Sequence, residues 1–218
     1  MKLLNFENKK ILYVVLGAIF FLALILRLYN LSEFPVGFHI DEASKGYTAY
    51  SLLQTGKDDN GNSFPLYIDI FGDNSPSGYH VLATIPVAIF GLTEFSTRFP
   101  GALIGALSIF AMYLLTYSVF RNKSLSVLSA SLLAISPWHI ILSRASSEGL
   151  IALFFILLGF AYVFQSAKTQ KKKELIVGTL LLSISFLFYQ TPRLFVPLMY
   201  FSSLLFFLLF YKVKLNNS

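Results

Sequence analysis

Six stretches of this chain are apolar over enough residues to cross the roughly 30 Å hydrocarbon layer of a bilayer as helices. They are residues 11–26, 101–120, 125–142, 150–167, 175–189 and 194–211. A backbone in lipid must satisfy its own N–H and C=O groups, so runs of this length point to helices. With 56% hydrophobic and 13% charged residues and a mean hydropathy of +0.67, the chain lies outside the range of a soluble domain. The expected fold class is an all-α polytopic membrane protein with about six transmembrane helices. A seventh run, residues 81–92, is too short to cross and reads as a helix lying in the interface or dipping partway in.

Charge then orients the spans. With a cytoplasmic start, the inner segments are 1–10, 121–124, 168–174 and 212–218. They hold eleven of the seventeen basic residues, among them Lys9, Lys10, Arg121, Lys123, Lys168 and the run Lys171, Lys172, Lys173. That bias fits the positive-inside rule. If residues 81–92 crossed, "KTQKKKE" would face outward. The acids segregate oppositely: Glu33, Asp41, Glu42, Asp58, Asp59, Asp69, Asp73, Glu94 and Glu148 all fall outside. Chemistry is therefore expected on the extracytoplasmic face of the cytoplasmic membrane.

The chain reads as a single transmembrane domain over residues 1–218. A retained anchor at 11–26 is followed by a long outer loop, 27–100, whose turn signals "GKDDNGNSFP" and "FGDNSPSG" separate helices lying along the membrane surface. Spans two to six occupy 101–211, and 212–218 is an inner tail. The net charge of +6 reflects loop bias, so no nucleic-acid partner is expected; the absence of cysteine excludes disulfides and thiolate chemistry.

Three outer connections carry ionisable groups: "HIDEASKGYTAY" with His39, Asp41 and Glu42, "SRASSEG" with Arg144 and Glu148, and "YQTPR" with Tyr189 and Arg193. Each has a plainer reading. Asp41 and Glu42 suit the start of a helix. Arg144 and Glu148 are spaced to pair on one helix. Arg193 can anchor to headgroups. Arg98, in "STRFPG", is expected at headgroup level, and His139 beside Trp138 in an interfacial aromatic belt. His39, Asp73 and His80 are the candidate ligands for a divalent metal.

In this order the elements resemble the membrane glycosyltransferases of the GT-C fold. The likeness is strongest to the family 39-like bacterial relatives of protein O-mannosyltransferase and of the lipid A aminoarabinose transferase. The elements are Asp41–Glu42, "GKDDNGNSFPLY", "SPSGYHVLATIPVAIFGLTEFSTRFPGALIG", "SPWHIILSRASSEG" and "YQTPRLFVPL", covering residues 34–197. The resemblance implies a polyprenyl-phosphate-sugar donor and transfer on the outer face to an unspecified acceptor. It implies Asp41 as catalytic carboxylate with Glu42 beside it, Arg144 and Arg193 binding the donor phosphate, and Glu148 and Tyr189 in support. The chain departs from the pattern with Asn74–Ser75 before Pro76 and with Glu148 where relatives often carry Asp. Such relatives usually continue through further spans, so the chain is expected to be their N-terminal part. A silent lipid-binding remnant is the alternative. A transporter is less favoured, because the ionisable groups lie at span ends rather than at the midplane.

Overall fold

The computed structural model describes residues 8–70 and 72–216; for residue 204 and for 206–216 it describes the helical backbone alone. The elements are α1 (Lys9–Leu28), α2 (Ile40–Thr55), β1 (Tyr67–Ile70), β2 (Asp73–Pro76), α3 (Gly78–Phe90), α4 (Glu94–Phe120), α5 (Lys123–Ala134), α6 (Pro137–Arg144), α7 (Glu148–Thr169), α8 (Lys172–Ile184) and α9 (Pro192–Asn216). A 3-10 turn, Ser185–Leu187, extends α8.

Helices α1, α4 and α7 are each long and apolar enough to cross a membrane, and α5 with α6 make a fourth unit bent by 55°. The all-α membrane architecture expected from the apolar runs is present. The third expected span, however, is broken. Pro137 has no N–H to continue the ladder, and Ser136 turns its own N–H to Leu133 O at 3.3 Å. The expected fifth span corresponds to α8 plus its 3-10 turn, 13 residues of regular helix. The sixth corresponds to α9, and the inner tail at 212–218 lies outside the described side chains.

Residues 27–100 hold more than surface helices. Tyr67–Ile70 and Asp73–Pro76 pair antiparallel, with Asp69 opposite Asn74. Asp69 Oδ1 accepts the Gly72 N–H at 2.7 Å, and Gly72 takes the left-handed φ of +89° that the turn requires. The short apolar run forms α3, 13 residues long.

Packing is inverted relative to a soluble protein. Ala23, Ala102, Ala106, Ala111, Ala130, Ala134, Ser108 and Ser126 are fully buried, whereas Tyr13, Val14, Phe21, Leu132, Ile141 and Ile176 point outward. Lipid tails give helices no hydrophobic reason to associate, so close approach through small residues supplies the contact. The pair α7 and α8 demonstrates it: a Cβ on Gly178 would lie 2.9 Å from Gly159 O, and one on Gly159 would lie 2.7 Å from Leu182 Cγ.

The bundle has two chemically different ends. At one, Lys168 donates to Val119 O at 2.7 Å, bringing together the C-terminal ends of α4 and α7 with Arg121 and Lys171 nearby in sequence. At the other, the last turn of α1, the start of α2 and the N-terminal ends of α4 and α7 meet through the contacts described next. They sit on a cluster of Ala49, Tyr79, Ala83, Val87, Ile151 and Phe188.

Candidate functional site

His39 caps α2: its Nδ1 accepts the Asp41 N–H at 3.3 Å, while its own N–H donates to Glu42 Oε2 at 3.3 Å. Consecutive helical residues point roughly 100° apart, so the two acids meet different surroundings. Asp41 remains half exposed, with Oδ2 at 3.4 Å from His39 Nδ1. Glu42 is buried and held by both sides of the Arg98 guanidinium, Nε to Oε1 at 3.0 Å and an Nη to Oε2 at 2.9 Å.

Arg98, expected at headgroup level, is turned inward. It is fully buried and also donates to Leu31 O at 3.1 Å, Ser32 O at 3.3 Å and Gly37 O at 2.7 Å. A planar fork of five donors suits such a task. Arg98 thereby ties α4 to α2 and to the 31–37 turn.

The expected helical pair of Arg144 and Glu148 is absent, because the chain leaves the helix at Ala145–Ser147. Ser146 there adopts a left-handed φ of +51°. Arg144 instead donates to Leu26 O at 3.1 Å, Phe34 O at 3.0 Å and Asn30 O at 3.3 Å. Glu148 pairs with Lys45 at 2.8 Å, and Lys45 also donates to Ser146 O at 2.9 Å. Lys45 is buried, its ammonium 5.4 Å from the Tyr79 ring centroid. Lysine is almost never fully buried unless paired.

Three concavities share wall residues in series, and Asp41 lines two of them. An apolar groove of about 450 Å³ is lined by Ile25, Leu26, Phe34, Ile140 and Ile141, with Arg144 and Pro35. Pro35 also lines a second cavity of about 530 Å³ that reaches His39, Asp41, Lys45 and Glu148. Asp41 and Glu148 in turn line a third, about 580 Å³, with Asp73, Tyr189, Gln190 and Thr191. Asp41, Glu148, Tyr189 and Asp73 are thus brought together. Arg193 turns to the hairpin, its guanidinium carbon 4.9 Å from the Tyr67 ring centroid and one Nη donating to Phe186 O at 3.2 Å.

The proposed metal set does not assemble. His39 is exposed at the cap of α2, and Asp73 is exposed at the hairpin. His80 is fully buried in α3 and forms no side-chain hydrogen bond. Among the described residues no three His, Cys, Asp or Glu side chains gather to hold a metal ion, so no chemical step is routed through one. Burial, and then the Lys45 ammonium, push the His80 pKa down to about 3. The unfolded ring has a pKa of about 6.5. Between those values the unfolded chain binds a proton that the folded chain refuses, so stability falls as pH drops through the window. His80→Leu is expected to flatten that slope, read as the thermal midpoint against pH.

Sequence reasoning missed Lys45, whose helical partner by spacing would be Asp41, and also Arg27. Arg27 is fully buried and donates to Ala23 O at 3.1 Å, Ala134 O at 3.0 Å and Leu133 O at 3.3 Å. The last two carbonyls lie at the break after α5, where Leu133 O also accepts the Ser136 N–H. A fourth contact runs to His139 Nδ1 at 3.0 Å. His139 is therefore not in an aromatic belt but fully buried beside this arginine, while Trp138 is exposed. An arginine inside an apolar helix was the available signal.

A family model described as dolichyl-phosphate-mannose-protein mannosyltransferase matches residues 74–218. The chain is 26% identical over 182 residues to a Bacillus subtilis (strain 168) protein named "Putative mannosyltransferase YkcB", covering 83% of this chain and 24% of that protein. It is 29% identical over 152 residues to an uncharacterized protein of Aquifex aeolicus (strain VF5), covering 70% of this chain and 29% of the other. The matched regions thus span less than a third of these relatives' length. The family match begins at β2 and runs through the broken span, the Glu148 helix and Tyr189, each of which contributes wall residues to these concavities. The chain belongs to the dolichyl-phosphate-mannose-protein mannosyltransferase family.

Proposed function

We propose that this chain forms the donor-binding, base-bearing part of a glycosyltransferase that moves a sugar from a polyprenyl phosphate to an acceptor hydroxyl outside the cytoplasmic membrane. The observation that carries the reading is the adjacency of two concavities: an apolar groove lined by Arg144 shares Pro35 with a mixed cavity lined by Asp41. A polyprenyl phosphate sugar has the same order of properties, an apolar chain, an anion and a polar ring. The lipid lies in the groove, its phosphate faces Arg144, and the sugar occupies the cavity before Asp41.

The reaction needs a proton acceptor, because a hydroxyl at neutral pH is a poor nucleophile. Asp41 fills that role, being the half-exposed carboxylate on the cavity wall. As it takes the acceptor proton, the acceptor oxygen bonds the anomeric carbon from the face opposite the phosphate, inverting that centre. The bond from carbon to phosphate oxygen breaks, and the polyprenyl phosphate leaves with its charge against Arg144. Glu42, occupied by Arg98, holds the start of α2 in place rather than reacting. Lys45 does the same for Glu148. Arg193 has no part in this scheme, since it lines neither the groove nor either cavity. Basic residues at the opposite end support a cytoplasmic placement for that end.

The test uses proteoliposomes of the chain with radiolabelled polyprenyl-phosphate mannose, reading bound donor and transferred sugar separately. Arg144→Ala removes a charge-assisted contact of ~1.5–3 kcal/mol, so donor affinity is expected to fall about tenfold or more. Arg144→Lys, which keeps the charge, should recover part of it. Failure of the unsubstituted chain to bind the lipid would defeat the proposal. Donor binding without transfer at any acceptor concentration would favour the silent lipid-binding subunit.

A further inference from the structure

Arg27 and His139 have no role in the donor scheme, yet both are fully buried where the broken span turns. The guanidinium, carried on the last turn of α1, donates to Ala134 O at 3.0 Å and Leu133 O at 3.3 Å at the end of α5, and to His139 Nδ1 at 3.0 Å in the first turn of α6. One side chain of α1 therefore holds both halves of the bend. Resting on the donor reading above, we propose that Arg27 and His139 are positioning residues: they latch α6 against α1 so that Arg144, at the far end of α6, stands where the lipid phosphate arrives.

The two faces of α6 carry the assignment. His139 and Ser143, four apart, are its buried residues, whereas Ile140, Ile141 and Arg144 line the apolar groove. Residues four apart share a helix face, so whatever fixes His139 and Ser143 also fixes the groove side. Ser143 rests on glycines of α4: a Cβ on Gly105 would lie 2.5 Å from Ser143 Cβ, and one on Gly101 would lie 2.9 Å from Ser143 O. That contact resists inward movement but leaves α6 free to swing along α4 or away from it. The bond from Arg27 to His139 closes that freedom.

Arg144 cannot supply the restraint itself. Its bonds to Leu26 O, Asn30 O and Phe34 O use N–H groups of both Nη atoms, which a phosphate would also need. The hold on α6 has to come from elsewhere while the lipid is bound. The lever is short. Arg144 follows His139 by five positions, which is ~7.5 Å of helix axis, so a tilt of ~10° at His139 displaces Arg144 by ~1.3 Å. A binding constellation tolerates about 0.5 Å. The latch also accounts for a cation in an apolar helix, because irregular backbone at membrane depth persists only where protein groups satisfy it.

His139 takes part as an acceptor. Its Nδ1 faces a guanidinium that has only donors, so the ring proton sits on Nε2. Asparagine places its Oδ1 the same number of bonds from Cα as that Nδ1 and can accept the same hydrogen bond. Leucine has the outline of asparagine without the acceptor. Comparing the two replacements isolates the bond from the bulk of the ring.

Binding of polyprenyl phosphate, without sugar, to the full chain in phosphatidylglycerol-containing nanodiscs provides the test. His139→Leu is expected to weaken binding about tenfold, as removal of the Arg144 charge does, and His139→Asn to recover it to within about threefold of the parent. In an Arg144→Ala background the change to leucine should shift affinity by less than about threefold, because a latch that acts through Arg144 then has nothing to position. Arg27→Lys, whose single ammonium cannot reach two carbonyls and the imidazole together, should weaken binding to a similar extent as His139→Leu. Trp138 is the only tryptophan and stands edge-on to His139 with ring centroids 5.3 Å apart. It reports on α6 without any lipid, and its quenching by iodide is expected to differ between the leucine and asparagine variants. Circular dichroism and size exclusion establish which variants fold. The proposal is overturned if leucine and asparagine variants bind alike, or if leucine weakens binding as much without Arg144 as with it. It is also overturned if neither the leucine nor the lysine variant yields folded protein, since the pair would then serve folding alone. A parent that does not bind the lipid sinks the donor reading and this one with it; a parent that binds while leucine and asparagine agree sinks this one alone.

Discussion

Asp41→Asn is expected to lower the rate of sugar transfer by about 10²- to 10⁴-fold, the usual contribution of a positioned general base, while the protein remains folded. The argument is local. Asp41 is half exposed, and its closest charged or ionisable neighbour is His39 at 3.4 Å. Asparagine keeps the shape and can still stand in the first turn of α2, so the stability cost should be limited to a lost carboxylate at a helix N-terminus, ~0.3–1 kcal/mol. What it cannot do is accept a proton. Asp41→Glu retains the acid but moves it by one methylene, and should recover only part of the rate because transfer demands alignment of base, hydroxyl and anomeric carbon. Initial rates with saturating polyprenyl-phosphate sugar, alongside thermal unfolding of each variant, separate the two effects. An asparagine variant that transfers within threefold of the parent would remove Asp41 from the mechanism.

Arg98→Met is expected to be the most damaging substitution for folding, costing ~3–5 kcal/mol, because it leaves Glu42 charged and buried without its partner. The loss is compounded by the carbonyls of Leu31, Ser32 and Gly37, which Arg98 also satisfies. Replacing Glu42 with Gln in the same chain removes the orphaned charge and should return a substantial share of that loss, so the two substitutions are non-additive. Arg98→Lys should not rescue as well. A single ammonium cannot span both oxygens of Glu42 and reach three carbonyls. Unfolding in mixed micelles by denaturing detergent gives the comparison. If Arg98→Met shifts the midpoint no more than an exposed substitution such as Ile176→Ala, the buried pair is not what holds α2 to α4.

The two outcomes bear on each other. Asp41 and Glu42 are adjacent and chemically alike, and the sequence assigned both to catalysis. Only the direction of the α2 helix distinguishes them. Glu42 faces Arg98 and becomes part of the scaffold; Asp41 faces the cavity. Changing the first should reduce folded protein and leave the specific activity of what folds nearly intact. Changing the second should do the opposite.

Much of the architecture was legible because the bilayer imposes a length. A run such as residues 101–120 has to be helix in hydrocarbon, and the basic clusters at 121–123 and 168–173 had to lie together once the helices alternate in direction. The bend in the third span also had a local cause in Pro137, although an apolar run of eighteen residues concealed it. The hairpin was harder to see. Its strands are four residues each, too short for alternation to announce them.

The site was only partly legible. The sequence determined the inventory: which loops carry acid, which carry arginine, and that the acids fall on one side of the spans, because each charge resists burial in lipid and length fixes where loops begin. The tertiary structure decided which charges are already spoken for. Lys45 finds Glu148 and Arg98 finds Glu42 across 103 and 56 positions of chain, distances over which no periodicity operates. A buried ion takes whichever opposite charge the fold brings within hydrogen-bond reach, since desolvation leaves it no alternative. Asp41, named together with Glu42 from the sequence, is distinguished from it only by those partners, which leave it exposed on the cavity wall.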